Sequence, residues 1–358
     1  MSEIPPIYQT LSEDPAEPLE VFSADELCDL RFKRVSWLVD GFLRPGLTVL
    51  AGSPKVGKSW LVLQLCVRIA QGRSFWGLDT HQGSVLYFAL EDSKQRLQNR
   101  LLTLTEAPPE GLYLSMNCSG IGEELEREIG SFYIEHPDLR LIVIDTFQMI
   151  RDRSQQMSYA NDYAEVARLK YLADTMNICI LLVHHTRKMS DSDRFNEISG
   201  TNGIAGSADT LLVLTKEKRS DSKAMLSCTG RDIEDRELSL TMDRRTCMWK
   251  CTTPLSVSAH NRQLPEELND LIAYMKKVTK FEGANALFTE RLSEYCGKSI
   301  SAIGLKRNMN RFRFELEDRG ISFLSTRTEN QRSILIVYRA SRDLSIPVMT
   351  DHDGSQAQ

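Results

Sequence analysis

Gly52-Ser53-Pro54-Lys55-Val56-Gly57-Lys58-Ser59 decides the reading of this chain. It satisfies the phosphate-loop pattern G-x-x-x-x-G-K-[ST] at every fixed position. Its flanks fit as well. Leu47-Thr48-Val49-Leu50-Ala51 ahead of it reads as a buried strand, and Trp60 through Ala70 behind it as a helix with an apolar face. Physical chemistry requires that order. A glycine-rich turn lets backbone N–H groups close on phosphate oxygens, and the helix N-terminus adds partial positive charge. Gly52, Ser53, Pro54, Lys55, Val56, Gly57, Lys58, Ser59 and Trp60 are therefore the expected phosphate-binding residues. Lys58 is expected to reach the β- and γ-phosphates, and the Ser59 hydroxyl to ligate Mg²⁺. ATP and Mg²⁺ are the ligands this stretch anticipates.

Composition narrows the class. The 358 residues are 26% charged and 41% hydrophobic, which suits a soluble globular chain of two or three domains. No apolar run approaches a membrane span, and Met-Ser-Glu-Ile-Pro-Pro does not open a signal peptide. The eight cysteines are scattered, with Cys66, Cys179 and Cys228 inside apolar runs, so reduced thiols and a cytoplasmic location are expected. Cys247 and Cys251 have no further Cys or His nearby to make a zinc site. The net charge of −5 argues weakly against whole-chain nucleic-acid binding, and the distribution of charge matters more than its sum.

The chain divides by texture. Residues 1–30 read as an acidic flexible arm, with a short helix at Ser23–Leu30. From 31 to 253 apolar strands alternate with helices, the pattern of an α/β fold around a mostly parallel sheet. Strands are expected at Leu47–Ala51, Ser84–Leu90, Leu139–Ile144, Ile178–His184, Thr210–Leu214, Ala224–Thr229 and Leu238–Met242, the last of them antiparallel at one edge. Helices are expected at Ser59–Gln71, Lys94–Leu104, Gly122–Glu135 and Tyr159–Met176. Residues 254–264 read as a linker. From 265 to 342 the pattern is helix, helix, one long helix over Ser299–Arg319, then a hairpin of Ile321–Thr326 and Ser333–Arg339, the order of a winged-helix module. Residues 343–358 form a polar tail.

Three further strand ends carry chemistry. Leu141-Ile142-Val143-Ile144-Asp145 is a hydrophobic strand ending in the carboxylate that a phosphate-loop enzyme needs to hold the Mg²⁺ water shell. Ser84 through Leu90 ends in Glu91-Asp92; Glu91 there would face the γ-phosphate as general base, the alternative being an acidic N-cap, a role Asp92 also fits. Ile178 through Val183 runs into His184-His185, imidazoles placed to sense the γ-phosphate unless they form a surface turn.

These elements, in this order and spacing, resemble the RecA/DnaB superfamily, and in particular its RepA-like branch of hexameric helicases and related AAA-type ATPases of phages and plasmids. The resemblance covers about 35 to 250. It rests on Trp37 through Leu43, Gly52–Ser59, Ala89-Leu90-Glu91-Asp92, Val143-Ile144-Asp145, Val183-His184-His185, Ser199 through Asn202, and Thr229-Gly230-Arg231-Asp232. It implies a RecA-like core, Glu91 as catalytic base, Asp145 as Mg²⁺ partner and His185 as γ-phosphate sensor, with His184 able to exchange roles. It further implies an arginine supplied by the adjacent subunit. The DnaB-type pattern maps onto Thr229-Gly230-Arg231 with its leading basic residue lost, while a second relative's pattern points near Asp209, an acid here. Arg231 is the expected finger, against an ordinary surface arginine paired with Asp232 or Glu234. A finger in trans implies a homo-oligomer, expected to be a hexameric ring.

Nucleic-acid contacts are expected in two places. Lys188 through Asn196 follows the histidines where ring motors of the superfamily touch single-stranded DNA; Lys188, Arg194 and Phe195 offer charge and a stacking face, and the acids between them fit a solvated loop equally. Lys306, Arg307 and Arg311 cluster on the long basic helix, where a winged helix contacts either phosphates or a protein. The leading expectation is an ATP-driven DNA motor, a mobile-element replicative helicase. The alternative is an ATP-dependent regulator or recombination mediator that unwinds nothing. A small-molecule kinase is disfavoured, because no acceptor-binding lid is visible and Glu91 with His185 suits attack by water.

Overall fold

Residues such as Leu141–Ile144 and Ile180–Val183 are apolar at every position, so their strands must be covered on both faces. The computed structural model, which describes residues 21–32, 34, 36–151, 159–186, 194–198, 202–218, 220–255, 264–328 and 331–340, places them at the centre of a nine-stranded sheet. Its strands are β1 (Gly46–Gly52), β2 (Ser84–Ala89), β3 (Leu112–Ser115), β4 (Leu139–Asp145), β5 (Cys179–His185), β6 (Thr210–Thr215), β7 (Lys223–Gly230), β8 (Arg236–Met242) and β9 (Trp249–Cys251), in the spatial order β3-β2-β4-β5-β1-β6-β7-β8-β9. From β3 to β6 every pairing is parallel; β7, β8 and β9 then add antiparallel at one edge.

Helices cover both faces. After α1 (Ala24–Asp29), which belongs to a separate unit, α2 (Lys58–Gln71) and α3 (Lys94–Leu104) pack on one side, where Leu61, Leu65, Ile69 and Leu97 meet Val85, Tyr87, Val143 and Val183. On the other side α4 (Glu123–Glu135) and α5 (Tyr159–Met176), with α6 (Asn202–Ser207), send Ile129, Val166, Leu169 and Ile204 against Phe88, Ile142, Ile144 and Leu182. Successive strand residues feed opposite cores, as the period of two demands.

The chain separates into two compact units, residues 35–262 and residues 1–34 with 263–358. In the second, α7 (Glu266–Val278), β10 (Lys280–Ala284), α8 (Asn285–Cys296), α9 (Ala302–Arg311), α10 (Arg313–Glu317), β11 (Ile321–Thr328) and β12 (Gln331–Tyr338) pack around Leu268, Phe288, Leu305 and Ile336. Its sheet runs β10-β12-β11, all antiparallel. The long helix expected at Ser299–Arg319 is two helices. Phe312 leaves helical geometry at φ −110°, ψ 28° and buries its ring in the core, which turns the chain between α9 and α10. Part of the acidic arm also has a definite place. Ser23 caps α1 through a reciprocal bond with Glu26, and Asp29 on α1 receives the Lys306 ammonium at 2.6 Å.

Candidate nucleotide site

Strand register brings the site together. Gly52 at the end of β1 pairs with His185 on β5, Val183 on β5 pairs with Asp145 on β4, and Asp145 pairs with Ala89 on β2, two residues before Glu91. The C-terminal ends of four parallel strands therefore meet at one edge, with β5 inserted between the phosphate-loop strand and the Asp145 strand. Ligands of open parallel sheets bind at such an edge.

The loop itself is shaped for close approach. Gly57 caps α2 at φ 109°, ψ 18°, a conformation that excludes a side chain at little cost only for glycine. A Cβ on Gly52 would lie 2.6 Å from the Leu214 carbonyl, so the backbone there tolerates no larger residue. Lys58 is buried, and its ammonium donates to the carbonyls of Gly52 at 2.6 Å and Ser53 at 3.2 Å, 3.5 Å from His185 Nδ1. Burial pulls its pKa down to about 8, against the opposing pull of Asp145 and Glu91.

Asp145 is likewise buried, and desolvation raises its pKa although Ser59 and Tyr87 both hydrogen-bond its carboxylate. The Tyr87 phenol donates to Oδ2 at 2.8 Å and is held protonated by its burial. Glu91 sits at the exposed rim, oriented by the Thr146 hydroxyl, which donates to Oε1 at 2.8 Å. Burial, then the neighbouring Lys58 charge, lower the pKa of His185, so its imidazole is neutral at pH 7. His184 points the other way, buried against the Phe147 ring at 5.6 Å with the planes near perpendicular. Lys58, Asp145, Glu91 and His185 thus share one field.

That field fits a magnesium nucleotide. A desolvated cation and a desolvated carboxylate face the same corner, each short of the counter-charge that would offset its burial. An anion against Lys58 and a cation held by Ser59 and Asp145 would satisfy both. One pH effect follows. A bound phosphate stabilises charged Lys58 and lifts its pKa, whereas in the free protein about half of Lys58 has lost that proton near pH 8. Nucleotide binding is expected to take up a proton above about pH 8 and to weaken as pH rises further, which calorimetry in buffers of different ionisation enthalpy measures.

The other expected site residues fall elsewhere. Asp92 is not the N-cap of α3; Ser93 is, accepting from the Arg96 N–H, while Asp92 is held by Arg96 at 3.0 Å and by Arg100. Arg231 lies at the opposite edge of the sheet, because Gly230 pairs with Thr210 whereas the phosphate loop lies level with Leu214. Five residues of strand, roughly 16 Å, separate it from its own loop. Its guanidinium is exposed, 3.7 Å from Asp209 Oδ1, so it pairs with neither Asp232 nor Glu234. Asp209 is a structural acid: it accepts from Leu47 N–H at 2.9 Å and from Lys170 at 2.8 Å, pinning the start of β1.

Among the nucleic-acid candidates, Lys188 lies outside the described residues, as do residues 199–201 of the family resemblance. Arg194 donates to Thr215 Oγ1 at 2.9 Å, and Phe195, partly buried, packs against the core on that side of the sheet rather than offering a free stacking face. Lys306 is engaged by Asp29, which leaves Arg307 and Arg311 exposed one turn apart on α9. Tyr87 and Thr146 are the site residues that sequence reasoning passed over. A lone phenol inside an apolar strand, and a hydroxyl directly after its carboxylate, were the signals.

A family model described as an AAA domain matches residues 12–191. The chain belongs to the AAA-domain family. The "DNA repair protein RadA" of Streptococcus pneumoniae (strain ATCC BAA-255 / R6) is 28% identical over 204 residues, 56% of this chain and 42% of the relative. The protein of the same name from Halalkalibacterium halodurans is 23% identical over 256 residues, 69% of this chain and 50% of the relative. The AAA-domain chain thus spans at most half the length of these two curated relatives. A solved structure titled "The Structure Of A DnaB-Like Replicative Helicase And Its Interactions With Primase" superposes with a TM-score of 0.50 at 12% identity, over 61% of this chain and 62% of that one. It shares the fold. Together these make the AAA-domain chain a P-loop ATPase of the RecA/DnaB superfamily. Among the described residues, no helix is long and apolar enough to cross a membrane.

Proposed function

We propose that this chain is an ATP-hydrolysing nucleic-acid motor, a RepA/DnaB-like replicative helicase that acts in the cytoplasm as a hexameric ring on single-stranded DNA. The observation that carries the reading is the meeting of Lys58, Ser59, Asp145, Glu91 and His185 at one sheet edge. Residues Gly52 to Trp60 cradle the triphosphate, and Lys58 turns from its backbone carbonyls to the β- and γ-phosphates. Ser59 and the Asp145 carboxylate would hold Mg²⁺, which would supply charge neutralisation at the phosphate oxygens. Glu91, fixed by Thr146, takes the proton of the attacking water. Neutral His185, beside Lys58, hydrogen-bonds the γ-phosphate and passes its loss to the residues that follow β5. Arg231, remote from its own site and exposed, serves the neighbouring subunit's nucleotide.

DNA contacts in this reading come from Lys188 and Arg194 after β5, and from Arg307 and Arg311 on α9, with Lys306 in reserve behind Asp29. Single-stranded DNA is expected to raise the ATPase rate about tenfold or more and a forked duplex to be separated, both measured on purified protein. A rate indifferent to DNA would overturn the motor. The relatives named as DNA repair proteins favour a second reading, a recombination mediator. DNA-stimulated hydrolysis without strand separation would select it.

A further inference from the structure

We propose that Trp249 is a positioning residue for the nucleotide, holding the phosphate-loop turn at Gly57 from the last strand of the sheet. The proposal rests on the ATP-binding reading above. By sheet order β9 stands four strands from β1, roughly 19 Å away in a flat sheet. Yet Trp249 touches the turn between β1 and α2. The antiparallel extension therefore curls over α2 and returns to the phosphate loop, as the accumulated twist of a large sheet allows.

The contact is specific at each atom. The Trp249 indole N–H donates to the Gly57 carbonyl at 3.1 Å, alongside the helical bond from Leu61 N–H to the same oxygen. The indole edge fills the space beside Gly57 where a side chain would stand: a Cβ there would lie 2.8 Å from Trp249 Cζ2 and 3.2 Å from Met242 Cε. Gly57 is thus required twice, by its positive φ and by this ring.

The ring is itself immobilised. Trp249 is fully buried. Buried Gln64, on α2, clamps its backbone with two bonds, Trp249 N–H to Oε1 at 2.8 Å and Nε2 to the Trp249 carbonyl at 3.0 Å. Trp76 adds an indole N–H to that carbonyl at 2.8 Å, and the Lys216 ammonium stands 5.1 Å from the Trp249 ring centre. Buried Trp needs a partner for its N–H, and many backbone oxygens would serve. Here the partner is the carbonyl of the residue that precedes Lys58. Trp249 of β9 and Met242 at the end of β8 thus hold the turn at Gly57. A preorganised turn spends less binding energy on ordering itself when the ligand arrives.

Trp249→Phe keeps an aromatic ring and removes the N–H. Steady-state hydrolysis of Mg–ATP should show KM raised about 3- to 10-fold with kcat within about twofold, the loss expected for one hydrogen bond that orders a binding loop. The melting temperature without nucleotide should stay close to wild type, while the upward shift given by Mg–ATP shrinks. Should Trp249→Phe not fold, Gln64→Met, which releases β9 from α2 and spares the indole, should raise KM in the same way. An unchanged KM overturns the proposal. A fall in kcat that tracks a lower melting temperature also overturns it, because it marks a purely structural tryptophan. If wild-type protein binds no Mg–ATP, this inference falls together with the nucleotide-site reading; if wild type binds and Trp249→Phe binds equally well, this inference falls alone.

Discussion

Glu91→Gln is expected to lower ATP turnover by about 10²- to 10⁴-fold, the span general-base catalysis contributes, and to leave Mg–ATP bound. The variant is a clean one. Glutamine keeps the length of the side chain and an oxygen that still accepts from the Thr146 hydroxyl, so the local geometry survives. Only the capacity to take a proton is lost. Removing negative charge also relieves the buried Asp145 carboxylate, whose pKa Glu91 helps to raise, so cation binding should not suffer. Single-turnover phosphate release measures the step directly. A wild-type rate in Glu91→Gln would show that another group activates the water, and Asp92 would not replace it, since Arg96 and Arg100 already hold its oxygens.

The second large effect concerns Arg231. Arg231→Ala is expected to bind Mg–ATP normally and to lose about 10³-fold in turnover, the lower end of what an arginine finger supplies. Its position makes the test sharper than a simple knockout. Because Arg231 and the phosphate loop lie at opposite edges of the sheet, each damaged chain keeps what the other lacks. Mixing Arg231→Ala with Lys58→Ala should recover part of the activity that neither has alone, since a Lys58→Ala subunit can lend its arginine to a neighbour with an intact loop. No recovery at any mixing ratio, alongside verified co-assembly, would remove Arg231 from the site.

The central sheet was legible because its strands are buried on both faces and so read as unbroken apolar runs. Tyr159–Met176 and Lys94–Leu104 were legible as the gaps between those runs, long enough for a helix to cross back over the sheet. What escaped were short elements whose residues carry little local signal. β3, at Leu112–Ser115, is a four-residue edge strand, and β10 reads Lys-Phe-Glu-Gly-Ala, which no strand propensity would select. β9 has three residues, and its importance lies wholly in where the curled sheet delivers Trp249. The break at Phe312 was hidden for the same reason: an aromatic residue continues a helix pattern, and only the demand of the core for that ring bends the chain.

At the site, the groups that meet phosphate were visible because motif spacing marks them. The groups that orient them, Tyr87 on Asp145 and Thr146 on Glu91, were not, because they act across strands that the sequence does not set side by side. Arg231 and Asp209 show the converse. Two sequence patterns pointed to positions 22 residues apart for the finger, and folding brings those positions into one place, with the arginine 3.7 Å from the acid.

One titration bears most directly on the claim that a magnesium nucleotide lies against Lys58: calorimetry of Mg–ATP with wild type and Lys58→Ala, at pH 8.5 in two buffers of different ionisation enthalpy. Wild type should bind one nucleotide per chain with proton uptake, and Lys58→Ala about 10²-fold more weakly with none. Absence of binding by wild type, or equal affinity and equal proton uptake in the two proteins, would contradict it.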